Sequence, residues 1–391
     1  MNRFSFAPGG VFLAWAQLRF ERRRLLAALC GIVIVTMSTL FQTGVYSAFF
    51  ESAVGLFHQF NADLVVISTD YRSVLVQTGF PSERVFQTLS HPAVDRISRV
   101  CVLSTFWRNP ENQSLQDSLL IGIHPSEQAL HVAGFEHQKN LLKSAETVLF
   151  DAESLPVYGP IAKRLEKEGP FYAEMGRQRI RMAGTFSLGP SFALPGNFMT
   201  GLENFYRLLP VFQRGTLSFG LVTLKPGHDP EKVAADLGRR LPGDVRVLTL
   251  PALIRQEQRY WNDFTAIGFI IPMSLIVSLI VGGVVIYQIL YTNVNDQLKQ
   301  YATLKAIGYT DRALAAVVLQ QSLLLAVIGF IPGMLISFAL FRVSRLATGL
   351  PFELTCGQLV LAFVLTAGMC FAAGLLALGK LRQADPAEVF G

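Results

Sequence analysis

Charged residues are scarce in this chain. They make up 16% of its 391 residues and are almost absent from four long apolar stretches. Ionisable side chains inside membrane-spanning segments normally mark proton relays and ion pathways. Their scarcity argues against a pump or channel that conducts ions through the middle of these stretches.

Catalytic and metal-binding motifs are also missing. The sequence has neither Gly-x-Ser-x-Gly nor His-Glu-x-x-His, and the spacing of its histidines fits no standard metal motif. Gly374–Lys380 (GLLALGK) matches most of a phosphate-binding loop, but Leu381 follows where Ser or Thr would bind Mg²⁺, and no strand precedes the run. We therefore predict no catalytic, cofactor or metal site, and no nucleotide site in this chain.

Cysteine is rare too, with four residues, and offers no disulfide framework. Cys30 and Cys370 fall within apolar stretches, whereas Cys101 and Cys356 lie far apart in different predicted regions. Free cysteine behaves as a small apolar residue, so we expect all four to be buried thiols.

The chain does contain four predicted transmembrane helices, at residues 25–50, 264–291, 313–341 and 359–378. Each supplies the ~20 apolar residues that cross a ~30 Å hydrocarbon core. The polar segment 51–263 is too long for a loop and predicts a folded domain. The fold class is therefore an integral membrane protein with one plus three transmembrane helices and a large α+β domain after the first.

Basic residues next to these helices predict the orientation, because short cytoplasmic loops are enriched in Lys and Arg. The domain itself is balanced, with 22 Lys/Arg and 22 Asp/Glu in residues 51–263. The basic groups are Arg19, Arg22, Arg23 and Arg24, then Lys299, Lys305 and Arg312, then Lys380 and Arg382. We expect 1–24, 292–312 and 379–391 to be cytoplasmic. The domain would then lie outside with the outer loop 342–358, although that loop carries Arg342 and Arg345.

The sequence of the domain predicts two similar β-α-β halves, at about 62–106 and 218–250, around an insertion at about 107–215. Alternating or continuous apolar runs predict the strands, and Pro81 and Pro230 open the two helices. Within the insertion, 118–123 and 179–188 also read as strands. In the third apolar stretch, Gly329–Gly333 (GFIPG) permits close helix contact.

The segment 292–312 between the second and third stretches is amphipathic. Val294, Leu298, Tyr301 and Leu304 recur at helical spacing, and Gly308 can end that helix. Thr310 can then cap the next helix. The segment is either an interfacial helix resting on lipid or a lever that docks into a cytoplasmic partner.

The run at 300–310, QYATLKAIGYT, resembles the coupling segment of FtsX/MacB/LolC-type ABC permeases. Ala306, Gly308 and Thr310 match directly, Lys305 replaces Arg, and Gln300 stands where Glu is common. Segments spread over nearly the whole chain resemble DevC-like exporter permeases: NADLVVIST, RIRMAGTFSLGPSF, LVTLKPG, YQILYTNVNDQLKQYATLKAIGYTD and KLRQADPAEVF.

This resemblance implies a homodimeric permease of the cell inner membrane with a MacB-like periplasmic core, in which the insertion is a second subdomain. It implies a separate cytoplasmic ABC ATPase that binds ATP, a HlyD-type periplasmic adaptor and a TolC-like outer-membrane channel. The residues expected to couple to the ATPase are Leu298, Gln300, Tyr301, Leu304, Lys305, Gly308 and Tyr309.

Three functions remain open at this point. The favoured one is export of a lipid-like or hydrophobic envelope component, such as a glycolipid, by a permease subunit that is not itself an enzyme. An FtsX-like mechanotransmitter of a periplasmic cell-wall hydrolase, or LolC/LolE-like lipoprotein release, is the alternative. A membrane-anchored enzyme is disfavoured by the missing motifs.

Overall fold

The computed structural model describes residues 22–296, 303 and 310–382. Their contacts divide them into two compact units. The membrane unit comprises the described residues of Met1–Ser47, Phe269–Ser344 and Phe352–Gly391. The domain unit comprises Ala48–Gly268 and Arg345–Pro351.

The helices and strands of the described residues follow in chain order. The helices are α1 (Arg22–His58), α2 (Glu83–Thr88), α3 (Ile161–Glu168), α4 (Leu202–Leu208), α5 (Pro230–Arg240), α6 (Leu250–Phe264), α7 (Ala266–Asp296), α8 (Asp311–Thr348) and α9 (Cys356–Arg382). The strands are β1 (Leu64–Ser68), β2 (Phe80–Pro81), β3 (Val94–Arg108), β4 (Leu115–Ile123), β5 (Thr147–Asp151), β6 (Phe171–Met175), β7 (Gln178–Phe186), β8 (Asn197–Gly201), β9 (Thr216–Leu217), β10 (Phe219–Leu224) and β11 (Val245–Thr249).

Four of these helices, α1, α7, α8 and α9, are long and apolar enough to cross a membrane. A helix satisfies its backbone hydrogen bonds within its own segment, which a lipid environment requires. One such helix precedes the domain and three follow it, so the predicted fold class is confirmed. The helix α1, predicted as 25–50, continues to His58, whereas α7, predicted from residue 264, begins at Ala266.

Within the membrane unit, glycines allow α8 to approach α1 closely. A β-carbon on Gly333 would lie 2.8 Å from Thr36 Cβ, and one on Gly329 would lie 2.6 Å from Ile32 Cγ2. Both distances are too short for real side chains, so these positions exclude larger residues. The close helix contact predicted from GFIPG is therefore confirmed.

The domain is built on a nine-stranded sheet in the order β11-β1-β10-β3-β4-β8-β5-β7-β6. The long strand β3 also pairs with β6, through Trp107 and Met175. That pairing closes β3, β4, β8, β5, β7 and β6 into a six-stranded ring, while β10, β1 and β11 extend from β3. Trp107 is fully buried and packs on Phe198 with ring centroids 5.1 Å apart.

Hydrophobic clusters cover both faces of the sheet. The strand β1 (LVVIS) is buried along its whole length, with Leu64 and Val66 in one cluster and Val65 and Ile67 in the other. A strand covered on both faces needs such a continuous apolar run. One cluster takes in α2 and α5 and the other takes in the end of α1 and Leu253 of α6.

The strands of the segment 107–215 belong to the same sheet as those of the two halves. The four cysteines are free, but only Cys101 and Cys370 are buried. Burial was therefore wrongly expected for Cys30 and Cys356, which lie on exposed helix positions.

Candidate functional site

The predicted coupling residues lie outside the described residues: Leu298, Gln300, Tyr301, Leu304, Lys305, Gly308 and Tyr309. Both flanks of the segment are described. Val294 is buried near the end of α7, and Thr310 Oγ1 accepts a hydrogen bond of 3.3 Å from the backbone N–H of Ala313 in α8. The predicted helix cap at Thr310 is thus confirmed. The coupling role of the segment stays a prediction.

The phosphate-loop-like run is helical. Gly374–Lys380 lies within α9 and is not a loop between a strand and a helix. In a phosphate-binding loop free backbone N–H groups face the phosphates, whereas amides inside a helix bond to carbonyls of the helix. Among the described residues, no three His, Cys, Asp or Glu side chains come together to form a possible metal site.

Three segments of the domain unit are continuous in sequence with membrane-spanning helices. We call the region that these segments form the junction. The segments are the stalk (residues 48–58, the end of α1), the helix α6, which precedes α7, and residues 345–351, which comprise the end of α8 and the three residues after it. With the junction loop, residues 187–196 between β7 and β8, they border a cavity of about 340 Å³.

Aromatic rings join three of these segments. Phe49 of the stalk contacts Phe192 of the junction loop at a centroid distance of 4.6 Å and Trp261 of α6 at 5.6 Å, both edge to face. The backbone N–H of Phe192 also donates to Ser52 Oγ at 3.2 Å. Edge-to-face aromatic pairs contribute about 0.5–1.5 kcal/mol each beyond their buried area, so these rings fix the segments relative to one another.

A buried carboxylate fastens α6 to the sheet side of the junction. Glu257 is fully buried and accepts hydrogen bonds from Tyr71 Oη at 2.7 Å, from the N–H of Val74 at 3.1 Å and from Trp261 Nε1 at 3.0 Å. Burial raises the pKa of this carboxyl, while its three donors act in the opposite direction. Because Trp261 also touches Phe49, the same residue connects the carboxylate to the stalk.

Phe219 of β10 continues these contacts into the sheet. Its ring lies 5.6 Å from that of Phe57 in the stalk, 5.4 Å from that of Phe60 and 5.5 Å from that of Tyr71. Close-packed aromatic side chains leave little free volume and therefore transmit displacement. The arrangement can pass movement between the stalk, α6 and the sheet.

Sequence reasoning missed this site. Glu257 stands in the polar run RQEQRY and looks solvent-exposed when read alone. A signal was present, because Leu253, Glu257 and Trp261 are spaced four residues apart and so share one face of α6. A carboxylate between two apolar residues on one helix face indicates a buried, hydrogen-bonded acid.

Comparison with known proteins identifies the membrane part of the chain. Residues 272–386 match the family described as FtsX-like permease C-terminal. This range contains nearly all of α7, then α8 and α9, with the amphipathic segment 292–312. The chain carries an FtsX-like permease domain.

Two curated relatives of this permease extend over nearly its whole length. They are uncharacterized ABC transporter permeases from two strains of Mycobacterium tuberculosis, CDC 1551 / Oshkosh and ATCC 25618 / H37Rv. Each is 21% identical over 387 residues, covering 97% of this chain and 99% of the relative. The similarity to ABC transporter permeases therefore includes the domain as well as the membrane helices.

Solved structures similar to the permease are domains of two other transporters. One is the extracellular domain of the noncanonic ABC-type transporter YknZ from Gram-positive bacteria, with 11% identity, a TM-score of 0.33, and coverage of 48% of this chain and 99% of that one. The other is the periplasmic region of MacB from Actinobacillus actinomycetemcomitans, with 11% identity, a TM-score of 0.35, and coverage of 50% and 92%.

Proposed function

We propose that this permease is the membrane subunit of an ATP-driven exporter whose ATP is bound and hydrolysed by a separate cytoplasmic ABC ATPase. The observation that carries the proposal is the FtsX-like permease domain at 272–386, which includes the amphipathic segment 292–312. The helical state of Gly374–Lys380 supports this proposal, because a run inside a helix does not offer the free backbone N–H groups of a phosphate-binding loop.

In the proposed mechanism, a conformational change passes from the ATPase to the domain. ATP binding moves the segment 292–312, the attached helices follow, and the junction passes the movement into the sheet of the domain. The contacts of Phe49, Trp261 and Glu257 support this step, because they tie two membrane-connected segments to each other and to the sheet. The shortage of ionisable residues in the spans argues against an ion as the cargo.

The proposed cargo is a lipid-like or hydrophobic component of the envelope, such as a glycolipid, in line with the DevC resemblance. The permease would act as a homodimer in the cell inner membrane, with both termini cytoplasmic and residues 51–263 periplasmic. A HlyD-type adaptor and a TolC-like outer-membrane channel would complete the assembly. The basic residues flanking the spans support this orientation.

Affinity purification tests the ATPase partner. The tagged full-length permease, extracted in mild detergent from its own cells, should retain an ABC ATPase and show ATP hydrolysis. Tyr301→Ala and Leu304→Ala should reduce the retained ATPase more than Lys305→Ala does, because buried interface anchors contribute more than charges at an interface rim. Retention of a cell-wall hydrolase in place of the expected exporter components would favour the FtsX-like alternative. Purification without any ATPase would overturn the proposal.

Cysteine labelling tests the orientation. Ser126 is exposed in the domain, so Ser126→Cys should react with a membrane-impermeant maleimide in intact cells. The exposed native thiols Cys30 and Cys356 should first be replaced by Ser, whereas the buried Cys101 and Cys370 can stay. Labelling that requires lysis would place the domain in the cytoplasm and contradict the proposal.

A further inference from the structure

The junction loop is anchored at its base by a second buried carboxylate. Asp151, fully buried at the end of β5, accepts hydrogen bonds from the N–H groups of Leu188 and Gly189, each at 3.0 Å. It also accepts one of 2.8 Å from Asn197 Nδ2. Leu188 and Gly189 begin the loop and Asn197 follows it, so one carboxylate holds both ends.

Another carboxylate of the domain, Glu127, has different partners from those of Asp151. Glu127 also accepts a bond from a backbone N–H, that of Arg99 at 2.6 Å, but it is ion-paired with the Arg99 guanidinium as well. The contacts of Asp151 are with amide N–H donors: besides those of the loop, the N–H of Glu153 lies at 3.1 Å. Donors can replace water around a carboxylate only while their geometry holds, so the loop and Asp151 depend on each other.

Residues between the two ends of the loop contact two segments that lead to the membrane helices. Phe192 contacts Phe49 and Ser52 of the stalk, as described above. Pro190 lies against Gly349, where a β-carbon would come within 2.9 Å of Pro190 Cγ. Gly349 has φ +67°, a left-handed conformation that also favours glycine.

We infer that Asp151 is a positioning residue, and that the junction loop it anchors couples the stalk and residues 345–351 to the six-stranded ring. The loop leaves the ring from β7 and returns to it at β8, and Asp151 ends β5, which pairs with both strands. Displacement of Phe192 or Pro190 is therefore delivered to three neighbouring strands. The use of this coupling in export rests on the proposed function.

Amide hydrogen exchange of the full-length chain in lipid nanodiscs tests the coupling without nucleotide or partner. Asp151→Asn keeps the side-chain shape but directs an NH₂ group at N–H donors. We expect exchange in residues 187–196 to rise about tenfold, as fits the loss of hydrogen bonds to a charged acceptor. The coupling further predicts a rise of about threefold in residues 48–52 and 345–351, which a role confined to the loop would not produce.

Matched variants make the result decisive. Glu127→Gln should raise exchange only around residues 99 and 124–127. Phe192→Ala should raise it in residues 48–52 with β5 unchanged, whereas Phe106→Ala, which removes a comparably exposed ring, should not. Wild-type exchange in residues 48–52 and 345–351 despite an opened loop in Asp151→Asn would overturn the inference. If Asp151→Asn does not fold, wild-type exchange at residues 48–52 in Phe192→Ala would overturn the inference instead. Failure to find an ATPase partner would overturn the proposed function and leave this measurement unaffected.

Discussion

Replacement of Glu257 by an isosteric amide should make the domain less sensitive to pH. Burial raises the pKa of Glu257, so the folded state holds the proton more tightly than the unfolded state. This group therefore contributes stability below the ordinary carboxyl pKa of about 4.3, and the contribution is lost as pH rises through the raised pKa. Asp151, whose pKa is also raised by burial, adds a dependence of the same sign. Glu257→Gln removes the pH-dependent contribution of Glu257 to stability and leaves that of Asp151 in place.

The size of the effect follows from the three donors around Glu257. In Glu257→Gln one oxygen still accepts from Val74 and Trp261, and the Tyr71 hydroxyl can accept from the new NH₂ group. The stability change should therefore be small at low pH. Glu257→Ala leaves all three donors without an acceptor, at a cost of about 1–3 kcal/mol for each group, so the total is at least about 3 kcal/mol. A loss of that size lowers Tm by about 6–12 °C in a domain of this length.

Thermal unfolding of the detergent-solubilised full chain, followed by tryptophan fluorescence, measures both effects. Trp107 is fully buried inside the ring and reports on the domain. The Tm of Glu257→Gln minus that of wild type should increase as pH rises from about 4.5 to neutrality. A difference that stays constant or decreases would refute the argument from buried charge. Equal Tm values for Glu257→Ala and Glu257→Gln would refute the argument from hydrogen bonds.

Two further predictions concern the membrane helices. Gly333→Ala should destabilise the α1–α8 contact by about 1–3 kcal/mol through overpacking against Thr36, whereas Gly368→Ala, where a β-carbon meets nothing within 4 Å, should not. Thermal aggregation of the two variants in the same detergent checks this, and equal midpoints would contradict it. Thr310→Ala should cost about 1 kcal/mol at the start of α8, seen as faster amide exchange at Ala313. Unchanged exchange there would argue against the cap.

Features set by local chemistry were predictable from the sequence. The four spans follow from apolar length, which lipid imposes on any crossing helix. The helix α5 begins at Pro230 with Asp229 as its cap, whose carboxylate accepts from the N–H of Glu231 at 3.0 Å. Pro at the first helical position and Asp before it are strong local signals. The continuous apolar run of β1 likewise indicates a strand covered on both faces.

Features set by distant partners were not predictable in this way. The short strands β5, β6 and β8 gave no clear alternation, because their pairing partners lie far away in sequence. Closure of the ring through Trp107 and Met175 depends on the length of β3 (Val94–Arg108), which continues past the end of the first predicted half at about 106. Asp151 and Glu257 are recognisable as buried only once their donors, which come from other elements, are in place.

The central claim is that ATP acts on the domain through the junction. Amide exchange of the purified permease–ATPase complex in nanodiscs, compared without nucleotide and with ATP plus vanadate, tests it most directly. Our account predicts that trapping the nucleotide changes exchange in the stalk, residues 48–58, and in the junction loop, residues 187–196, together. A complex that hydrolyses ATP but shows the same exchange in both segments in the two states would contradict it.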